Sequence, residues 1–416
     1  MTTETLLTGA RIWDGNADAV TEPRNVLVTG DRITDIDHSG PAPDGTDVID
    51  LGGRTLTPGF IDCHTHVTLT PNLMSAAALT SAASALRAVP VLETLLHNGF
   101  TTIRDLMSAD PTGNALALRD AVAGGVIAGP RMIVAQHMIS ARGGHGDFST
   151  LLTPEVQGEP RLLELASADG PDEIRTRVRQ EIRAGADWVK FAASGGFSSP
   201  ADDPDHVTYS EEEMKVLVST AADLGRPATP HCYGDEATRR AIRAGVRSID
   251  HGNLAGHEAL KMMEDNGVFL VPTQYTVLRD AREAFNDDHW RGMPPNKQLK
   301  FQKYQRRLLD SAEHVASSGV KIAFGTDAGM FPHADNWREF PAMVENGITP
   351  QRALRAATSV AAELLGLDDH GVIATGKAAD LVAMPGNPLE DISVTGKVDF
   401  VMQGGKVHRR PQSAKN

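Results

Sequence analysis

Apolar and polar positions alternate with two different periods along this chain. In residues 1–56 the period is two. "TLLTGARIWDG", "NVLVTGDRITDID" and "TDVIDLGGRTLTP" alternate and break at Gly, Asp and Pro, as half-buried strands do. The last 45 or so residues repeat that texture in "GVIATGKAADLVAMPG" and "KVDFVMQGGKVHRR". Both ends are therefore expected to build one small β-module, a β-sandwich made of residues 1–57 and 369–416. The polar tail "RRPQSAKN" is expected to fray.

Between them, residues 58–368 read differently. Short apolar runs alternate with helical segments, and eight of those runs are candidate strands: "GFIDCHTHV", "FTTIRDL", "RMIVAQ", "DWVKFAAS", "PATPHCYG", "RSIDHGN", "VFLVPTQ" and "KIAFGTDAG". Amphipathic segments such as "PDEIRTRVRQEIRAGA" and "SEEEMKVLVSTAADLG" separate them. Strand–helix alternation over this length predicts a parallel sheet, and eight units predict an α/β fold of the (β/α)8 TIM-barrel type. The Ala-rich stretch from Met74 to Val89 reads as a helix closed by Pro90. It is too interrupted by Ser, Thr and Arg87 for a membrane span. Three long pieces read as irregular and follow strands: Ile139 to Pro160, Gly195 to His206, and Phe285 to Gln298. In barrels such loops build the site.

Composition narrows the functional classes. The 416 residues are 41% hydrophobic and 23% charged, enough for one large barrel plus a smaller module. A net charge of -14 gives no electrostatic support for nucleic acid or an anionic membrane as partner. Two cysteines, Cys63 and Cys232, cannot make a disulfide framework and fit a reducing compartment. The first residues, "MTTETLLTGARIWDG", lack the basic and apolar regions of a secretory signal, so a cytoplasmic location is expected.

Polar residues collect at the C-terminal ends of the predicted staves. The first ends in His64 and His66, the fourth contains Lys190, the fifth ends in His231, the sixth in His251 and the eighth in Asp327. Alternation puts His64 and His66 on one face and Cys63 and Thr65 on the other. It likewise turns Cys232 away from the face of His231. Two imidazoles on one buried face cost desolvation without a packing gain, unless they bind something. Imidazole with carboxylate suits zinc and other first-row dications. Lys190 has two readings. An ammonium beside a dication is repelled by about 4 kcal/mol per unit-charge pair at about 4 Å and an effective dielectric near 20. Lys190 would then be neutral, or carry carbon dioxide as a carbamate able to bridge two ions. Alternatively it reaches an acid and is structural.

"PGFIDCHTHV", "VKFAASGG", "HCYG", "SIDHGN" and "GTDAG", in this order and spacing, resemble the amidohydrolase superfamily of metal-dependent hydrolases. The resemblance covers nearly the whole chain, the two-ended β-module included. It implies two divalent ions, most simply Zn. His64, His66 and Asp327 would hold the more buried ion, His231 and His251 the second, and a carbamate on Lys190 would bridge them. A hydroxide between the ions would be the nucleophile, with Asp327 moving its proton to the leaving amine. "SARGGHGDF", "SGGFSSPADDPDHVTYS" and "GTDAGMFPHADNWREF" look like the branch of prolidase-like and carboxypeptidase-like enzymes, related to imidazolonepropionases, that cleave the amide before a C-terminal amino acid; relatives there also open mycotoxin amides. In that branch His145 and Tyr233 would meet the substrate carboxylate. His145 also reads as a loop histidine held by its glycines.

The expected partner is thus a dipeptide-like or other small-molecule substrate, and the expected assembly a homo-oligomer. Two further readings stand beside this one. One is a hydrolase of cyclic amides, against which Lys190 argues. The other is a non-catalytic metal-binding homologue. Asp105 could orient a ligand or cap the following helix, Ser194 could line the substrate cleft or make the turn, and His333, just past Asp327, could face the pocket; for all three the structural reading leads.

Overall fold

A computed structural model describes residues 3–411 except 73–74, 76–78, 109, 111 and 152–165. The N-terminal strands are β1 (Glu4–Ile12), β2 (Arg24–Thr29), β3 (Arg32–Asp35), β4 (Asp47–Asp50) and β5 (Thr55–Pro58). Gly59 then leads straight into the central strands. A Cβ at this position would lie 2.2 Å from Thr101 Oγ1, so only glycine lets the two strands approach here.

The central strands are β6 (Phe60–Thr65), β7 (Phe100–Asp105), β8 (Arg131–Val134), β9 (Met138–Ile139), β10 (Val189–Ala192), β11 (Ala228–Gly234), β12 (Ser248–Leu254) and β13 (Phe269–Val271). They form two parallel sheets, one in the order β6-β7-β8 and one in the order β13-β12-β11-β10-β9. The predicted third stave "RMIVAQ" holds β8, which pairs with β7, and the short β9 just after it pairs with β10 in the other sheet. Helices separate most of the strands and bury apolar faces against them, as Ile174 and Val178 do in the helix Gly170–Ala184.

The predicted eighth stave, "KIAFGTDAG", is not a regular strand. Only isolated parallel bridges, Leu270 with Ile322 and Thr65 with Ala328, mark it. Its backbone bonds go to both sheets, from Ala323 N to Leu270 O at 2.9 Å and from Cys63 N to Phe324 O at 2.8 Å. The extended run ends at Asp327, whose φ of 62° lies in the left-handed region.

Two other expectations are corrected. The Ala-rich helix spans Ser81–His97 with Pro90 inside it, while part of the Met74–Val89 stretch lies outside the described residues. The carbonyl that Pro90 cannot bond belongs to Leu86, which is 73% exposed, so water can take the missing place. The segment Phe285–Gln298 is partly helical, holding Asp287–Trp290 and the start of Pro295–Ser317. Asn286 caps the first through a 3.2 Å bond from Asp288 N, and Pro295 opens the second.

The chain returns in β14 (Leu381–Met384), β15 (Phe400–Gln403) and β16 (Lys406–Arg409). These complete one mixed eight-stranded sheet, β16-β15-β14-β5-β1-β2-β3, with β4 on β1. The two ends of the chain meet where β14 lies antiparallel to β5, Leu381 opposite Pro58. The sheet buries its own apolar cluster, including Leu7, Val26, Leu56, Leu381 and Phe400. Among the described residues no helix is long and apolar enough to cross a membrane.

Candidate active site

The site grows from the end of β6. Asp62, fully buried, receives His64 N at 3.1 Å, Thr326 N at 3.2 Å and Thr326 Oγ1 at 2.7 Å. It thereby ties the His-x-His turn to the segment carrying Asp327, whose own N donates to His64 O at 2.8 Å. Gly325 leaves room for this contact, since a Cβ there would lie 2.9 Å from that of His64. Burial pushes the Asp62 carboxyl up to about 7.

His64 Nε2, His66 Nε2 and an Asp327 oxygen then converge. The two ring nitrogens are 3.3 Å apart, and Asp327 Oδ1 lies 3.4 Å from the first and 3.1 Å from the second. Burial pushes the Asp327 carboxyl up, but the adjoining His64 and His66 rings outweigh it and hold it well below the usual carboxylate range. Among the described residues this is the one group of three or more His, Cys, Asp or Glu side chains whose ligand atoms all lie within 4.8 Å of one another, as one metal ion requires. The tautomers suit one: His66 Nδ1 lies 3.3 Å from Met107 O, which leaves Nε2 unprotonated toward the group.

The other predicted residues line the same cavity. Lys190 on β10 is buried and meets Asp250 Oδ2. Burial lowers its pKa. The His231 and His251 rings lie 4.6 Å apart, centroid to centroid, and His251 is 4.8 Å from His64. Burial, reinforced by neighbouring cationic groups, pushes both imidazoles well below their ordinary pKa, so they sit here as neutral ligands would. His251 Nδ1 is held 2.8 Å from Thr273 Oγ1. His145 stacks on His231 at 4.0 Å, with its Nδ1 2.9 Å from Ser199 Oγ and 3.4 Å from Asp202 Oδ2. Tyr233 stacks on His251 at 4.7 Å. All eight predicted site residues border one cavity, together with the apolar Met107, Met138, Phe148, Phe197, Val277 and Phe301.

Residues 55–408 match the amidohydrolase family. The chain belongs to that family. It is a hydrolase acting on amide or peptide bonds, and the buried His-His-Asp group is where a family metal would sit. The chain is 32% identical over 376 residues to ochratoxinase of Aspergillus niger, covering 86% of this chain and 76% of that one. It is similar to the crystal structure of a Xaa-Pro dipeptidase with bound methionine in its active site, at 34% identity and a TM-score of 0.90, covering 98% of this chain and all of that one. A prolidase complexed with N-methylphosphonate-L-proline matches at 37% identity and a TM-score of 0.85, over 98% of this chain and 100% of that one. Such likeness implies the family's TIM barrel with an additional domain.

The amidohydrolase site also holds residues that sequence reasoning missed. Asp250 contacts Lys190, and Arg104 contacts Asp250 at 3.0 Å. The available signal was a charge inside an otherwise apolar strand, as in "TTIRDL" and "RSIDHGN". Cys63 packs among Leu106, Trp188 and Phe269, away from the cavity. Cys232 Sγ lies 3.3 Å from Thr238 Oγ1. Asp105 does not cap the next helix, which begins at Asn114 after Gly113. It accepts Val67 N at 2.7 Å, and burial raises its carboxyl to about 6. Ser194 Oγ accepts Tyr233 N at 2.9 Å, and His333 Nε2 reaches His66 O at 3.0 Å, so both support residues of the site.

Proposed function

We propose that this amidohydrolase is a binuclear enzyme that cleaves the amide bond before a C-terminal amino acid, in dipeptides of the Xaa-Pro kind or N-acyl amino acids, mycotoxin-type amides included. The observation that carries the reading is the convergence of four histidines, Lys190 and Asp327 on one buried cavity that His145 and Tyr233 also border. The names of its relatives, ochratoxinase, Xaa-Pro dipeptidase and prolidase, belong to enzymes of that class.

In this reading His64, His66 and Asp327 would hold one zinc ion and His231 and His251 a second, with Lys190, as a carbamate, serving as a ligand to both. Bound there, the ions would lower the pKa of water and polarise the scissile carbonyl. Asp327 takes the proton from the attacking water and delivers it to the leaving nitrogen, which must be protonated to depart. His145, held in place through Nδ1 by Ser199, and the Tyr233 hydroxyl would meet the substrate carboxylate. Phe197, Phe301 and Met138 offer the apolar wall for a substrate side chain. The frame would be a closed (β/α)8 barrel over residues 58–368, with Lys321–Ala328 as its eighth stave. A β-sandwich of residues 1–57 and 369–416 would be attached to it, and the chain would assemble as a homo-oligomer.

The test is a screen of the zinc-loaded enzyme against a mixed library of dipeptides, N-acyl amino acids and cyclic imides, read by mass spectrometry. Release of C-terminal amino acids is expected. Turnover of the imides alone, or of nothing, would overturn the reading.

A further inference from the structure

Asp250 lies outside the proposed ligand set, yet three basic groups are arranged around its carboxylate. Arg104 on β7 is completely buried. Its Nε donates to Cys63 O at 2.6 Å, its Nη1 to Ser248 Oγ at 3.3 Å and its Nη2 to Asp250 Oδ1 at 3.0 Å, while its guanidinium lies 4.4 Å from the centre of the Trp188 ring. A guanidinium fixed from so many sides cannot follow a wandering carboxylate, so it pins Asp250. The other oxygen, Oδ2, meets Lys190 Nζ and lies 3.7 Å from His64 Nδ1. That nitrogen is buried and has no hydrogen-bond partner in the structure, although the opposite nitrogen of the ring belongs to the His-His-Asp group.

A plain lysine–aspartate ion pair accounts for only part of this. Asp250 is already held by Arg104 and also faces the unpartnered His64 Nδ1, while Lys190 borders the cavity of the four histidines and Asp327. Carboxylation would make Lys190 an anion on that cavity. The lone pair of the neutral Lys190 amine attacks carbon dioxide and an N–C bond forms. One C–O π pair moves onto oxygen, and one of the two N–H protons leaves to solvent. The product is an anionic carbamate that keeps a single N–H, and that N–H needs an acceptor in a dry site.

We propose that Asp250, clamped by Arg104, is a positioning residue: its Oδ2 accepts from the one N–H of carboxylated Lys190 and, on its second lone pair, from His64 Nδ1–H. It thereby orients the bridge and one ligand ring together. An acidic partner on the far nitrogen of a ligand histidine also fixes which ring nitrogen faces the ion. The inference rests on the binuclear reading of this same cavity.

The test loads wild type, Asp250→Asn and Arg104→Lys with zinc in 13C-labelled bicarbonate. It reads the carbamate carbon by NMR and zinc per chain by elemental analysis, with circular dichroism to register folding. Wild type is expected to show the carbamate signal and two zinc ions. Both variants are expected to lose the signal and to bind zinc about 10- to 100-fold more weakly. Folded variants that keep the signal and wild-type zinc affinity would overturn the role of Asp250 while leaving the binuclear site standing. A wild type without the signal would overturn both. One measurement needs no variant: in 15N spectra of the zinc-loaded wild type, His64 should carry its proton on Nδ1, and a proton on Nε2 would overturn the inference.

Discussion

Asp327 sits at φ 62°, a conformation uncommon for a residue with a Cβ, and it is placed there by the bond from its N to His64 O. Asparagine tolerates that conformation as well as aspartate does. Asp327→Asn should therefore keep the circular dichroism spectrum of the wild type while kcat falls by about 100- to 10,000-fold, the span expected for loss of an acid–base group. Gly196 supports a different residue. A Cβ on it would lie 2.1 Å from the His145 ring, so Gly196→Ala must displace that ring. If His145 binds the substrate carboxylate, KM should rise at least about tenfold, the equivalent of about 1.4 kcal/mol, with zinc content unchanged. An unchanged KM would separate His145 from substrate binding. The histidines and Asp327 were readable one by one, because polar side chains ending apolar runs have few structural uses. Asp250 was not, because nothing in "SIDHGN" says that Lys190 and Arg104 lie opposite it.

Local rules held best where an element carries its own signals. The helix Glu211–Asp223 opens with a capping box in which Ser210 Oγ accepts Glu213 N and the Glu213 carboxylate accepts Ser210 N. Ser210→Ala should lower stability by about 1 kcal/mol in urea titration, with activity unaffected. Those rules failed where a neighbour or solvent relieved a local penalty. Pro90 continues a helix where Leu86, whose carbonyl it cannot bond, is exposed and open to water. The stretch Phe285–Gln298 forms helices whose Trp290 packs with Phe301, although its Gly, Pro and Asn content reads as loop. The stave ending in Asp327 fails as a regular strand because its bonds are divided among β13, β6 and the residue Ala356.

At the scale of the molecule, metal binding and folding are coupled through mass action. Chelation should abolish turnover and lower the unfolding temperature, and zinc should restore both. Occupancy at 100 times the dissociation constant is worth about 2.7 kcal/mol, which calorimetry detects easily. Acid stability has a separate origin. Asp280 joins the helices Gln274–Arg282 and Pro295–Ser317, receiving Lys297 Nζ at 2.9 Å. Burial pushes its carboxyl up, but Lys297 and Arg279 outweigh burial and bring it below its ordinary 3.8. A depressed carboxylate stabilises the fold above its unfolded value and loses that contribution as pH falls through the folded one. The stability advantage of wild type over Asp280→Asn should thus be present at about pH 5 and shrink below about pH 4. A difference that grows on acidification would contradict this.

Strand alternation and the preference of strand ends for ligands are local properties, so the chain's own order of residues specified seven of the eight predicted strands, the face shared by His64 and His66, and the exclusion of Cys63. The pairing of β5 with β14 was foreshadowed too, since both ends carry the same period. Which strand ends become neighbours is decided only on folding, because parallel strands are joined through long crossovers and contact one another far from their positions in sequence. Asp62 holding the Asp327 segment, Arg104 holding Asp250, and Asp250 facing both Lys190 and His64 all depend on that non-local pairing. The residues that could bind a metal were legible one at a time; the buried charges that position them became visible only in three dimensions.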